Sequence, residues 1–376
     1  MEQASKPTQE ESYKFITNEI PIRLANMIME LQLLPKVLFI QPLFQEILFQ
    51  HIQSFKDLLE FPTATFNQET NKKYVTCIME IRTRHIDTVP NMAAAIEGIM
   101  TDDVEGKMNK QDIQFFLDRL NTSRISIHLL ISMYTAVMKK SHKKCPTISS
   151  LIGTIDPQCD IIGVAEEAFD DASYLCCREY KDHPLLEIEG RDSTRRNLVV
   201  EEVRMSYIER HLHHIFFEVF KNAMRATMEE FKKNKLLKPS PVRCHVTKSE
   251  EDISIRVSDL GGGISREMVD KVCLYHFTSA EKFAMARYCL MPGSGGLESH
   301  AHPMHGLGYG LPLSRVYARY FKGDLNIISM HGLGSDVYIY LKAISDDAKE
   351  CLPKYSIQTA NIIHKNNKGK VSDWTS

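Results

Sequence analysis

Between His211 and Glu230 the chain reads HLHHIFFEVFKNAMRATMEE. At about 100° per residue, His214, Glu218, Asn222, Arg225 and Glu229 fall within a roughly 80° arc of one helix. Nearly everything around them is apolar: Leu212, Ile215, Phe216, Phe217, Val219, Phe220, Ala223 and Met224. A helix apolar over most of its circumference is buried, so its narrow polar stripe faces either solvent or a polar cavity. Asn222 favours the cavity, because asparagine is a poor mid-helix residue whose amide oxygen is a good ligand for a hard cation. The chemistry this predicts is phosphoryl transfer. Asn222 would hold Mg²⁺ against nucleotide phosphates, and Glu218, one turn earlier, would take a proton from an attacking hydroxyl or water. His214, a further turn back, would hydrogen-bond that carboxylate.

Two glycine loops follow. The run ISIRVS ends in Asp259-Leu-Gly-Gly-Gly263, a strand delivering a carboxylate into a permissive turn, where Asp259 can accept from an exocyclic amine. Gly306-Leu-Gly-Tyr-Gly310 opens the helical run LPLSRVYARYF. Backbone N–H groups at such a helix start make an anion cradle. Its spacing fits neither the dinucleotide fingerprint nor a Gly-Lys-Ser/Thr phosphate loop. The stretch between the loops, residues 280–305, contains Gly293, Gly295 and Gly296 and reads as a lid over nucleotide. Its His300, His302 and His305 suggest no fourth ligand, so a metal site there is the weaker reading.

These residues need a frame. Helical periodicity predicts helices from Ile20-Pro21 to the break at Pro35, and over Leu43–Leu59, Asn71–Thr88, Asn91–Ile99 and Lys110–Met138. Four of these would suffice for a bundle. Pro146, Gly153 and Pro157 punctuate a boundary. Beyond it come a helix over Gly163–Tyr180, a short strand over Leu185–Ile188, and a long helix over Glu209–Asn234. Further strands are expected at Arg243–Val246, Ile253–Ser258, Leu325–Met330 and Asp336–Leu341. The expected division is 1–145 helical, 146–350 nucleotide-binding and 351–376 a tail.

Composition bounds the partners. With 46 Lys+Arg against 48 Asp+Glu, the formal charge is −2, which gives no footprint for nucleic acid or anionic lipid. A hydrophobic share of 43% with 25% charged residues excludes disorder and collagen-like or rod-like chains. No apolar run reaches the roughly 18 residues of a membrane span. Nine cysteines without a CxxC pair read as reduced core thiols. The opening MEQASKPTQEE lacks arginine and holds three glutamates, unlike an organelle transit peptide. A leader already removed and a cytosolic protein are the two expectations.

Taken in order, the Asn helix, Asp259-x-Gly261-x-Gly263 and Gly306-x-Gly308-x-Gly310 resemble the three boxes of the Bergerat-fold (GHKL) ATPases. The wording is closer still to the mitochondrial protein kinases of the 2-oxoacid dehydrogenase complexes. The segments that carry this are EVFKNAMRATME (218–229), SDLGGG (258–263), GLGYGLPLSRVYARYFKGDL (306–325), GSDVYIYLKA (334–343), IPIRLAN (20–26), VPNMAA (89–94) and FLDRLNTSRIS (116–126). The resemblance implies an α+β two-domain chain, with an N-terminal four-helix bundle and a C-terminal α/β sandwich of the Bergerat type. It implies a homodimer in the mitochondrial matrix that docks on the lipoyl domain of the E2 core. It also implies ATP and Mg²⁺, with K⁺ as a further candidate ion, and transfer of the γ-phosphoryl to a serine of the E1 component.

Carried over by position, Glu218 resembles the catalytic base with His214 beside it, Asn222 the Mg²⁺ ligand and Asp259 the adenine-binding carboxylate. Ser335 would approach adenine. Arg225, Gly261, Gly263, Thr278, Gly306, Leu307, Gly308, Tyr309, Gly310 and Leu311 would surround the nucleotide. Leu260 departs from the arginine usual there. YHFTSAE (275–281) and PMHG (303–306) look like the branched-chain enzyme's kinase, whereas ARYFKGDL and Asp373-Trp374 look like the pyruvate group, where that pair crosses to the partner subunit. Pyruvate dehydrogenase E1 is therefore the expected substrate and the branched-chain enzyme the alternative. A low-turnover nucleotide-binding scaffold is a second alternative. A histidine autokinase would need an acceptor such as His85.

Overall fold

The computed structural model describes residues 8–34, 36–61, 66–101, 110–140, 153–193, 198–200, 202–235, 237–275, 277, 304, 308–344 and 350–353. They fall into two compact units, one reaching Thr154 and the other running from Ile155 to Cys351. The boundary expected at 145/146 lies outside the described residues, as do Asp373 and Trp374.

The first unit is helical, with five α-helices rather than four among its described residues: α1 (Gln9–Gln32), α2 (Pro42–Leu59), α3 (Gln68–Arg84), α4 (Thr88–Thr101) and α5 (Lys110–Lys140). Helix α1 starts eleven residues before the expected Ile20-Pro21 and carries Pro21 in its interior. A capping box explains the earlier start. The Glu11 N–H donates to Thr8 Oγ1 at 3.2 Å, while the Thr8 N–H donates to Glu11 Oε2 at 2.7 Å. Tyr13, Ile16, Ile20, Leu24, Met27 and Leu31 then form one buried stripe past the proline. Burying such side chains is worth about 1.5–3 kcal/mol each, comparable to the roughly 3 kcal/mol cost of an interior proline.

His85 is a core residue. It is 3% exposed, stacked on His51 at 4.2 Å and bonded through Nε2 to Ser54 Oγ at 3.0 Å. Burial holds its pKa down at about 2. In the same unit, Arg119 Nη2 meets Glu30 Oε1 at 2.5 Å, a buried ion pair.

The second unit pairs a six-stranded sheet with a helix layer. Its strands are β2 (Leu186–Asp192), β3 (Leu198–Val200), β5 (Val242–Lys248), β6 (Asp252–Asp259), β7 (Asp324–Met330) and β8 (Gly334–Lys342), in the order β3-β2-β5-β6-β8-β7. Only β2–β5 is parallel. A separate two-stranded ribbon joins β1 (Asp156–Asp160) to β4 (Arg204–Tyr207).

Helices α6 (Ile161–Tyr180), α7 (Glu209–Asn234) and α9 (Gly310–Tyr320) pack on the sheet, with the short α8 (Arg266–Val269) beside β7. Alternation along β6 sends Ile253, Ile255 and Val257 into the core, and register sets Val257 opposite Cys244 and Val337. The same period of two puts Asp259 on that inner face, at the strand's last position. The four strands expected after α7 each extend by one or more residues, the one expected at Leu185–Ile188 runs instead over Leu186–Asp192, and α7 spans the range its pattern predicted.

Among the described residues no helix is long and apolar enough to cross a membrane. The described cysteines Cys77, Cys159, Cys176, Cys177, Cys244, Cys273 and Cys351 are free thiols.

Candidate active site

Helix α7 buries Leu212, Ile215, Phe216, Val219, Phe220, Ala223, Met224 and Met228, with Phe220 edge-on to Phe169 of α6 at 5.3 Å. That packing fixes the helix's rotation. Glu218, Lys221, Asn222, Arg225 and Glu229 are thereby turned into a cavity of about 520 Å³. Asp259, Gly261, Gly263, Gly308, Gly310, Leu311 and Ser335 line it too, so most of the predicted site meets in one place. Thr278, Gly306 and Leu307 lie outside the described residues, as do His300, His302 and His305. Tyr309 turns its ring onto Tyr275 at 4.9 Å.

At one end of the cavity is Asp259, 8% exposed. Its Oδ1 accepts from the Gly261 N–H at 2.9 Å, and the Ser335 backbone also donates to the carboxylate. Burial outweighs both and pushes the pKa up to about 6. Ser329 supports this end: its hydroxyl accepts from the Ile264 N–H at 2.7 Å, donates to the Gly334 carbonyl at 3.1 Å and lies 2.9 Å from Ser335 Oγ. The loop after β6 presses on α7 itself. A Cβ on Gly261 would stand 2.5 Å from the Ala226 carbonyl carbon and 2.7 Å from the Thr227 nitrogen, so only glycine fits there.

At the other end, the Glu218 carboxylate is gripped by Lys221, whose Nζ lies 2.8 Å from Oε2 and 2.9 Å from Oε1. His214, one turn before Glu218, lies against the Tyr317 ring of α9 at 4.8 Å. The first residue of α9, Gly310, abuts Glu218 so closely that a Cβ there would overlap Oε2. The helix start that would bind phosphate thus sits directly beside the carboxylate.

The Asn222 amide nitrogen donates to the Glu218 carbonyl at 2.8 Å, which leaves its oxygen as the group offered to the cavity. One neutral oxygen fits Mg²⁺ that arrives with substrate phosphates, rather than an ion held in a protein cage. Among the described residues no group of three or more His, Cys, Asp or Glu side chains is placed to hold a metal.

Sequence reasoning missed Lys221 and Ser329. The first was signalled by its i,i+3 spacing from Glu218. The second, a serine inside a strand, carried no signal.

Comparison with known proteins agrees with this geometry. Residues 1–156 match the family described as mitochondrial branched-chain alpha-ketoacid dehydrogenase kinase, and residues 207–344 match the histidine kinase-, DNA gyrase B- and HSP90-like ATPases. The chain is 35% identical over 364 residues to the mitochondrial pyruvate dehydrogenase (acetyl-transferring) kinase isozyme 4 of Rattus norvegicus, covering 96% of this chain and 83% of that one. It is 35% identical to isozyme 1 of Homo sapiens, covering 96% and 79%. It is 36% identical over 352 residues to the corresponding kinase of Drosophila melanogaster, covering 93% and 81%.

Proposed function

The chain belongs to the mitochondrial family of 2-oxoacid dehydrogenase kinases, ATP-dependent protein kinases with a GHKL ATPase domain, and from that premise we propose that it phosphorylates a serine of the pyruvate dehydrogenase E1 component. The observation that carries the reading is the convergence of Glu218 and Asn222, one turn apart on α7, with Asp259 in a single cavity. Asp259 accepts from the adenine 6-amino group, and the buried acceptor rejects bases without a donor at that position. The N–H groups at the start of α9 face the phosphates. Asn222 would hold Mg²⁺, which would supply neutralising charge to the phosphates. Glu218 takes the serine proton as Oγ bonds to the γ-phosphorus; the bond to the bridging oxygen breaks and ADP leaves with its electron pair.

The matrix, a homodimer and the lipoyl domain of the E2 core are the setting this reading implies. The name of the family matched by residues 1–156 favours a second acceptor, the branched-chain dehydrogenase. One experiment separates the two: Mg-ATP with each purified dehydrogenase side by side, and the phosphoserine mapped. Phosphate on E1 of the pyruvate complex is expected. Transfer to the branched-chain enzyme alone reverses the substrate, and ATP binding with no transfer to either leaves a nucleotide-binding scaffold. In the same assay Glu218→Gln should keep nucleotide binding and lose about 10²- to 10⁴-fold in turnover.

A further inference from the structure

We propose that Lys221 distinguishes ATP from ADP and, by moving from Glu218 to the terminal phosphate, releases Glu218 to act as base; the inference rests on the kinase reading above. The paired side chains are only 12% and 14% exposed, and the ammonium touches both carboxylate oxygens. A carboxylate so held has both oxygens occupied by the ammonium and offers neither to a serine hydroxyl. Lys221 Nζ also lies over the Phe217 ring, 5.3 Å from its centroid, a cation–π contact.

The competitor for that ammonium is located by Gly310. The start of α9 lies against Glu218 Oε2, so a phosphate at this helix terminus comes to rest beside the pair. A terminal phosphoryl group brings more negative charge than one carboxylate, and a lysine on a flexible stem follows the charge. The diphosphate leaves this position empty, and the pair stays closed. With the triphosphate bound, Lys221 lies on the γ-phosphoryl oxygens. Glu218 alone takes the serine proton, and the negative charge that passes to the β-phosphate leaves with ADP. The Glu218 carboxylate is therefore uncovered only when there is a phosphoryl group to transfer.

The test is the ratio of Mg-ATP to Mg-ADP affinity, measured by titration calorimetry on the full chain. Lys221→Met is expected to keep ADP binding, weaken ATP by about 10- to 100-fold and lower turnover by about 10²- to 10³-fold. Lys221→Arg should restore the ratio. Glu218→Gln, which removes the competitor, should raise it. A wild-type ratio in Lys221→Met overturns the proposal whatever turnover does, and so does a Glu218→Gln variant that fails to raise the ratio. These affinities need no protein substrate. Absence of transfer by the wild-type chain would therefore count against the kinase reading alone.

Discussion

Asp259→Asn should make the protein more stable at neutral pH while impairing nucleotide binding. Burial raises the folded-state pKa of Asp259 from its ordinary 3.8 to about 6. Below 3.8 the carboxyl is protonated in both folded and unfolded chains. Between 3.8 and about 6 only the folded chain keeps the proton, so stability falls as pH rises, and above 6 the whole cost of a buried charge is present. That interval is worth roughly 3 kcal/mol. Asparagine avoids it but gives up one of the two backbone N–H bonds that the carboxylate accepts, at about 1 kcal/mol. The expected gain is about 2 kcal/mol at pH 7.5, disappearing or reversing at pH 4. Urea unfolding followed by circular dichroism at pH 4, 6 and 7.5 measures it, on the transition that ADP shifts in the wild-type chain. The variant should also bind ADP about 10- to 100-fold more weakly at pH 7.5, since an amide N–H₂ cannot accept from the adenine amine. In the wild type, affinity should fall as pH drops through 6. A variant that is less stable at pH 7.5, or a difference that does not change with pH, would refute the reasoning.

Gly261→Ala places a methyl against the α7 main chain, so unfolding should show a loss of about 1–3 kcal/mol and calorimetry weaker ADP binding. Glu30→Ala breaks the buried Glu30–Arg119 ion pair from one side; a destabilisation of about 3–5 kcal/mol is expected by urea unfolding, with ADP affinity at the second unit unchanged. His85, bonded to Ser54 in the core, should carry no phosphate after incubation with ATP. Any label on the chain itself should therefore survive acid, which phosphohistidine would not.

How much was legible in the sequence depended on how strongly packing wrote its period into the residues. Helix α7 is apolar around most of its circumference, so both of its ends and its polar stripe could be read directly. Strands β5, β6 and β8 alternate cleanly because one sheet face is buried. By contrast, β1 is DPQCD, five residues with a proline and two aspartates that read as loop. Pro157 is tolerated there because both strands of a two-stranded ribbon are edges. Strand β3 has three residues, too few for a period. The early start of α1 was written in Thr8 and Glu11, but Pro21 appeared to be a boundary because the stripe that outweighs it is a tertiary effect. At the site, residue types were visible while partners were not. His214 was visible on the polar stripe with Glu218, but its seat against Tyr317 of α9 and the closure of Lys221 on the carboxylate are set by rotamers and packing that no spacing records.

The two ends of the cavity ought to act independently, and that can be measured. Gly261, two residues from Asp259, rests on Ala226, which lies about 12 Å along α7 from Glu218 at 1.5 Å per residue. Side chains separated by more than about 7–10 Å without a shared partner contribute additively within about 0.5 kcal/mol. No hydrogen bond or ion pair described here joins the Asp259–Ser335–Ser329 group to the Glu218–Lys221 pair. Asp259→Asn should therefore weaken ATP and ADP by the same factor, since both carry adenine, whereas Lys221→Met should weaken ATP alone. In the double variant the two losses for ATP should multiply. A coupling above about 1 kcal/mol would mean that α7 shifts as a rigid lever between base and phosphate, in which case the ATP preference would be a property of the helix rather than of Lys221.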